Sequence, residues 1–249
     1  MAYQKLLYHL DAGVARITLN RPAKRNALDA ELIAELQIAI TNCNHIIVLS
    51  GAPPDFCSGM DLSGLHAAAD ASALDHVHAA RQLADLFRAM RHHRRPIIAA
   101  VQGRALAGGC GLATAADIVL ASESAQFGYP EIKRGFLPAM VMGLVRRSVS
   151  EKRIFELIAT GESISARAAL DCGLINRVYA DQDFDAAVTA FATDLASRSA
   201  SALELAKSLL YRTDAASWES ALDSGIETGT LSRMTDDARR GIAGFVKKS

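Results

Sequence analysis

The amino-acid sequence predicts an α/β layered domain that passes into a helical C-terminal region. Two observations predict it. Short apolar, β-branched runs alternate with helical periodicities through the first two-thirds of the chain, and no strand pattern is present from about residue 183 onward. Residues 1–185 are therefore read as the core, and 186–249 as a helical extension able to cover a site or join subunits. Val14–Leu19 reads as a strand, β-branched and closed by the turn residues Asn20, Arg21 and Pro22. Residues 29–40 follow as a helix with Leu32, Ile33, Leu36 and Ile40 on one face. Residues 46–49 are a short apolar strand, stopped by Ser50, Gly51, Ala52, Pro53 and Pro54. Residues 67–90 carry one long helical pattern, and residues 96–101 a buried strand ended by Gly103. A run of small residues at 105–116 leads to a strand at 118–121. Four helices are expected beyond it, at 184–198, 202–211, 218–228 and 236–246, with no internal repeat and no low-complexity linker.

The chain has 249 residues, 50% hydrophobic and 22% charged, and 27 basic side chains balance 27 acidic ones. A net charge of zero supplies no global field to draw the protein to nucleic acid, although an anionic ligand needs only a few local cations. Cys43, Cys57, Cys110 and Cys172 fit no zinc or CxxC spacing and read as small buried hydrophobes in a reducing compartment. The opening residues lack the apolar stretch of a signal peptide. No run approaches the roughly 18 apolar residues of a membrane span. A cytoplasmic protein with no membrane partner is expected. His92 and His93 have no acidic or Cys partner at ligand spacing and read as a solvated helix end, so no metal is expected. His66, His76 and His78 read as a polar helix face, and Tyr211 and Trp218 as helix packing. Met140 and Met142 suit either an apolar pocket or the core.

Two Gly-rich loops carry the chemical signal. Residues 55–62, Asp-Phe-Cys-Ser-Gly-Met-Asp-Leu, follow a strand and lead into a helix. Gly59 allows close backbone approach, and the amides after it suit negative charge. Residues 105–112, Ala-Leu-Ala-Gly-Gly-Cys-Gly-Leu, expose backbone in the same way and open a helix expected at 112–116. Either loop alone means only tight packing. The GxGxxG spacing is absent and no Gly-Lys-Ser/Thr follows, so neither a dinucleotide fingerprint nor a P-loop is present.

Further motifs occur in a fixed order around them: Ile17-Thr18-Leu19-Asn20-Arg21-Pro22, Asn26-Ala27-Leu28, the stretch 96–103 that ends in Gln102-Gly103, Asp117-Ile118, and Phe127-Gly128-Tyr129-Pro130-Glu131. Thr160-Gly161 leads on to Gly173-Leu174-Ile175, and Asp236-Asp237-Ala238-Arg239 to Phe245. Over nearly its whole length the chain thus resembles the crotonase superfamily, the enoyl-CoA hydratases, isomerases and their relatives. The resemblance implies a ββα spiral with a helical C-terminal region, a homotrimer or homohexamer, and an acyl-CoA thioester as partner. Coenzyme A enters as part of the substrate, with no separate cofactor.

The same resemblance implies site roles. The N–H groups of Met60 and Gly108 would hold the enolate oxygen of the thioester, and Glu131 would be the general acid/base, its pKa raised by an apolar pocket. Lys24, Arg25 and the backbone at Ala27 match the CoA-binding turn, and Ser58, Asp61 and Leu62 the adenine pocket. Gly109, Gly111, Pro130 and Met142 are expected at the acyl-thioester. Phe245 and Lys248 match C-terminal positions that approach CoA. Two departures stand out. The hydratases' second glutamate falls at Gly111, and Met142 replaces a glycine whose backbone nears the catalytic water. Hydration of a 2-enoyl-CoA is the first expectation, because the overall resemblance favours a hydratase and some hydratase-like branches share the glycine at this position, although the missing glutamate itself favours an isomerase. Isomerisation, which needs one carboxylate, is the alternative, with decarboxylation or hydrolysis behind it. A CoA- or RNA-binding relative is the non-enzyme reading, and zero net charge counts against RNA.

Overall fold

The structure, a computed structural model, describes residues 3–246. It opens with β1 (Leu6–Asp11) and β2 (Val14–Leu19), an antiparallel hairpin turned at Ala12 and Gly13, both at positive φ. β1 has no sequence signature because it is an edge strand, buried only at Leu6. α1 (Ala30–Thr41) is capped by Asp29, whose carboxylate accepts from Leu32 N at 2.9 Å, and buries the expected Leu32, Ile33, Leu36 and Ile40. After β3 (Ile46–Gly51) comes α2 (Leu62–Ala67), and the pattern expected at 67–90 falls on α3 (Ala73–His92), six residues later at its start. The later start has a local cause: Ser72 and Asp75 form a capping box that opens the helix. β4 (Ile97–Val101), β5 (Arg104–Leu106), α4 (Gly108–Thr114), β6 (Ile118–Ser122) and β7 (Gln126–Gly128) follow. α4 starts four residues before the helix expected at 112–116; glycine's poor helix propensity masked its first turn. The chain continues through α5 (Ala139–Val145), α6 (Glu151–Thr160), β8 (Ser163–Ser165), α7 (Ala166–Asp171) and β9 (Arg177–Tyr179). It ends in α8 (Phe184–Ala196), α9 (Ala200–Arg212), α10 (Trp218–Arg233) and α11 (Asp236–Val246).

A six-stranded sheet runs β1-β2-β3-β4-β6-β9, parallel from β2 onward, and a smaller sheet runs β5-β7-β8. The chain visits them alternately. β4 joins the large sheet and β5 the small one before α4; β6 and β7 repeat this before α5. Cys57 bridges Ala105, which extends the small sheet to the preceding turn. This is the ββα spiral the sequence implied. Both faces of the large sheet are covered. One meets α1, α3 and α4, and the other meets Phe184, Val188 and Ala192 of α8 across Val14, Val48, Ile98 and Leu120. Burial on both faces is why β3 and β4 read as continuous apolar runs.

One polar cluster fastens α9 to the core. Lys207 Nζ donates to Asp117 Oδ2 at 2.7 Å, Met90 O at 3.0 Å and Arg95 O at 3.2 Å. Tyr211 OH donates to Asp117 Oδ1 at 2.6 Å, and Arg91 stacks 4.1 Å over the Tyr211 ring. Burial pulls the Lys207 pKa down, against the pull of Asp117. Lys207→Met leaves a largely buried carboxylate without its cation and is expected to cost about 3 kcal/mol, read as a lower urea midpoint at unchanged slope. His93 belongs to the same region and corrects the sequence reading. It is buried, its ring nitrogens 2.8 Å from Arg95 O and 3.0 Å from Cys43 O, and burial pushes its pKa down. Trp218 also departs from expectation, lying 73% exposed at the start of α10. Cys43, Cys57 and Cys110 are buried, and Cys172 half-buried. Among the described residues no His, Cys, Asp and Glu side chains cluster as a metal site, and no helix is long and apolar enough to cross a membrane.

Candidate active site

Four segments of the spiral converge on one cavity of about 680 Å³. The first is the turn at 22–28. Arg25 and Asn26 are both left-handed, with φ of 52° and 54°, a conformation L-residues hold only when their surroundings enforce it. Asn26 enforces it. Its fully buried amide donates to Ala52 O at 2.8 Å and Asp55 O at 2.6 Å and accepts from Arg21 N at 2.9 Å. The turn thereby presents Lys24 and Arg25 to the cavity.

The second segment is the loop at 55–61. Asp55 anchors it from below, accepting two guanidinium bonds from Arg104 at 2.8 and 2.7 Å. Burial alone would raise the Asp55 pKa, but Arg104 outweighs it and holds the carboxyl below the usual range. Leu28 stitches this loop to the first turn, through Leu28 N to Gly59 O and Asp61 N to Leu28 O, each 2.8 Å. Gly59 has φ +94°, and a Cβ there would stand 2.7 Å from the Ala107 Cβ, so only glycine fits.

The third segment is the start of α4. Ala107, at φ 53°, donates its N–H to Gly128 O at 2.8 Å and turns the chain so that Gly108 opens the helix. The second and third segments lie side by side. A Cβ on Gly59 would be 3.3 Å from Gly108 N, and one on Gly108 would be 3.9 Å from both Gly59 Cα and Met60 Cγ. Among the described residues, neither the Met60 nor the Gly108 N–H is spent on another protein group.

The fourth segment runs from the 3₁₀ turn Pro130–Arg134 into α5. Tyr129, fully buried with its OH 3.4 Å from Thr114 Oγ1, seats this turn against α4. Glu131 follows, half-buried. Its Oε2 is the one buried side-chain oxygen without a partner among the described residues, and burial raises its pKa.

Lys24, Arg25, Ala27, Ser58, Met60, Asp61, Leu62, Gly108, Pro130 and Glu131 all border this cavity. Asp61 does so with its carboxylate already engaged. Bonds from Ser63 and from Arg21, the latter at 2.9 Å, lower its pKa to about 2. Four expected contacts are not on its lining. Gly109 is covered by the Cys57 segment, since a Cβ there would meet Cys57 O at 2.3 Å. Gly111 faces Val141, whose Cγ2 would stand 2.5 Å from an added Cβ, so Val141 fills the space a side chain would take. Met142 points outward, 39% exposed, and Met140 and Val141 line the cavity instead, because the first turn of α5 directs those two inward. Phe245, a position expected to approach CoA in some relatives from a neighbouring subunit, lies on α11, 75% exposed and not on the lining of this chain's cavity; Lys248 lies outside the described residues. Sequence reasoning missed Arg134, Phe136 and Leu137 on the wall, and it named Asn26 only as part of a motif.

Comparison with known proteins places the whole chain in one family. The enoyl-CoA hydratase/isomerase family profile matches residues 9–249. The chain belongs to this family. It is 34% identical, over 100% of its own length and 97% of the relative's, to a Mycobacterium bovis protein named "Probable enoyl-CoA hydratase echA8". It is 36% identical, over 100% of its length and 97% of the relative's, to a Rhizobium meliloti protein named "Probable enoyl-CoA hydratase". The crystal structure of an enoyl-CoA hydratase from Mycobacterium smegmatis superposes with a TM-score of 0.95 at 30% identity, covering 98% of this chain and 97% of that one. The chain is thus a crotonase-fold member of the enoyl-CoA hydratase/isomerase family.

Proposed function

We propose that this family member hydrates a 2-enoyl-CoA thioester, with Glu131 as its single acid and base. The observation that carries the reading is a half-buried carboxylate, its Oε2 unpartnered, on the same cavity as two unspent backbone N–H groups. The thioester oxygen accepts from Met60 N and Gly108 N. Glu131 takes a proton from water as the water oxygen bonds to the β-carbon, and the displaced electron pair moves onto the thioester oxygen as an enolate. Protonated Glu131 then returns that proton to the α-carbon as the enolate collapses. Both added fragments come from one water, so one carboxylate closes the cycle. The raised pKa of Glu131 suits a group that must both take and give the proton. Lys24 and Arg25 supply cations for the CoA phosphates, and Ser58 and Leu62 border the nucleotide end.

One observation favours a second reaction. Val141 over Gly111 removes the place of a second carboxylate, which suits isomerisation, where Glu131 takes a proton from the α-carbon of a 3-enoyl-CoA and delivers it to the γ-carbon. The two readings separate in one experiment. Crotonyl-CoA is expected to lose its conjugated enoyl absorbance on incubation with the protein. A gain of that absorbance from a 3-enoyl-CoA, with crotonyl-CoA untouched, would replace hydration by isomerisation.

Self-association is part of the same proposal. Leu222, Ile226, Leu231 and Ile242 on α10 and α11 are at least half exposed, more apolar surface than a lone chain leaves uncovered. A sedimentation mass of three or six chains is expected, and a monomer would contradict it.

A further inference from the structure

The cavity carries a cation that the proposed CoA contacts do not account for. Arg134 closes the 3₁₀ turn that contains Glu131, and its side chain borders the cavity. Among the described residues its guanidinium has neither an ion pair nor a hydrogen bond, whereas Arg21 and Arg104 beside the same site are each paired with a carboxylate. Its neighbour Lys133 is turned away, its stem against Gly161. Lys24 and Arg25, the cations assigned to CoA phosphates, come from a different segment at the start of the chain. Arg134 instead shares its segment with Glu131 on one side and with Phe136 and Leu137 on the other. A 3₁₀ helix rises about 2.0 Å per residue, so the Arg134 backbone sits about 6 Å along the turn from that of Glu131. Arg134 is thus an exposed, unpaired cation on the cavity wall, one turn from Glu131 and beside the apolar Phe136 and Leu137.

We infer that the acyl group carries an anion at its far end, a carboxylate that pairs with Arg134, so that the preferred substrates are thioesters of dicarboxylic acids. The inference rests on the reading of this cavity as an acyl-CoA site. A single charge-assisted bond from Arg134 to the distal carboxylate accounts for about a tenfold preference.

The test is binding rather than turnover. Adipyl-CoA and hexanoyl-CoA are saturated, match in chain length and undergo neither hydration nor a double-bond shift. Titration calorimetry at fixed ionic strength is expected to give adipyl-CoA a Kd about tenfold below that of hexanoyl-CoA. Arg134→Gln is expected to bring the ratio to one, and Arg134→Lys to restore part of it. Equal Kd values in the unmodified protein overturn the inference. So does an Arg134→Gln protein in which both thioesters weaken by the same factor, because Arg134 would then serve a CoA phosphate. Either result leaves the hydration reading standing. Failure of crotonyl-CoA turnover with the tenfold ratio intact would strike the reaction and spare Arg134. Absence of binding by both thioesters would end the acyl-CoA reading and this inference with it.

Discussion

Glu131→Gln is expected to lower kcat on a 2-enoyl-CoA by about 10²- to 10⁴-fold, the usual contribution of a positioned general acid/base, with KM little changed. The amide keeps the size of the side chain but cannot carry a proton between water and the α-carbon. Stability is expected to move the other way. Burial raises the Glu131 pKa, so the folded protein holds its proton where the unfolded chain has released it. Folding stability from this group is therefore fully present below the ordinary carboxylate range and falls as pH rises through the raised value. Gln does not titrate. The variant's melting temperature should match that of the parent at low pH and exceed it increasingly toward neutrality. An activity loss without this divergence would mean that Glu131 is not held against its charge; an intact kcat would remove it from the chemistry.

Gly59→Ala is expected to act on the opposite wall of the site. The added methyl would stand 2.7 Å from Ala107 Cβ at a backbone φ of +94°, a conformation that disfavours any L-side chain. Relief requires the Met60 loop and the start of α4 to part. The two N–H groups would then no longer meet one oxygen, and losing one such donor costs about 2.7–4 kcal/mol, or 10²- to 10³-fold in kcat. Acyl-CoA affinity should fall less, because the turn that carries Lys24 and Arg25 is also held through Asn26 to Ala52 and Asp55. The measurement is kcat and KM together, with circular dichroism as a check on the fold. A kcat near that of the parent would detach these amides from catalysis.

Much of this architecture was legible in the sequence where local pattern and tertiary role coincide. β3, β4 and β6 are apolar because they are buried on both sides, and α1 and the C-terminal helices carry helical periodicity. β5, β7 and β8 were not legible. Each is three residues long, and each pairs only because the spiral brings it beside another turn. His93 read as a solvated helix end because its partner Cys43 O lies 50 positions away, and Lys207 drew no reading because its partners lie 90 or more positions away along the chain. At the site, Met60, Gly108 and Glu131 were named through family resemblance. No local pattern distinguishes a backbone N–H that is kept free from one that is bonded. The missing side chain at Gly111 was visible in the sequence; that Val141 closes the gap was not, because the contact joins two helices 30 positions apart.

The convergence of four segments also governs when the pocket comes into being. Residues 24–28, 58–62, 106–108 and 130–141 belong to successive windings, and the first three are joined to other windings by backbone bonds such as Leu28 N to Gly59 O, Leu106 N to Cys57 O and Ala107 N to Gly128 O. Parallel pairings of this kind close long loops and form late in folding. A nascent or clipped chain lacking the last winding would own the cations and the paired amides yet have no proton carrier. A ligand that touches all four segments binds the finished molecule best and stabilises it by mass action.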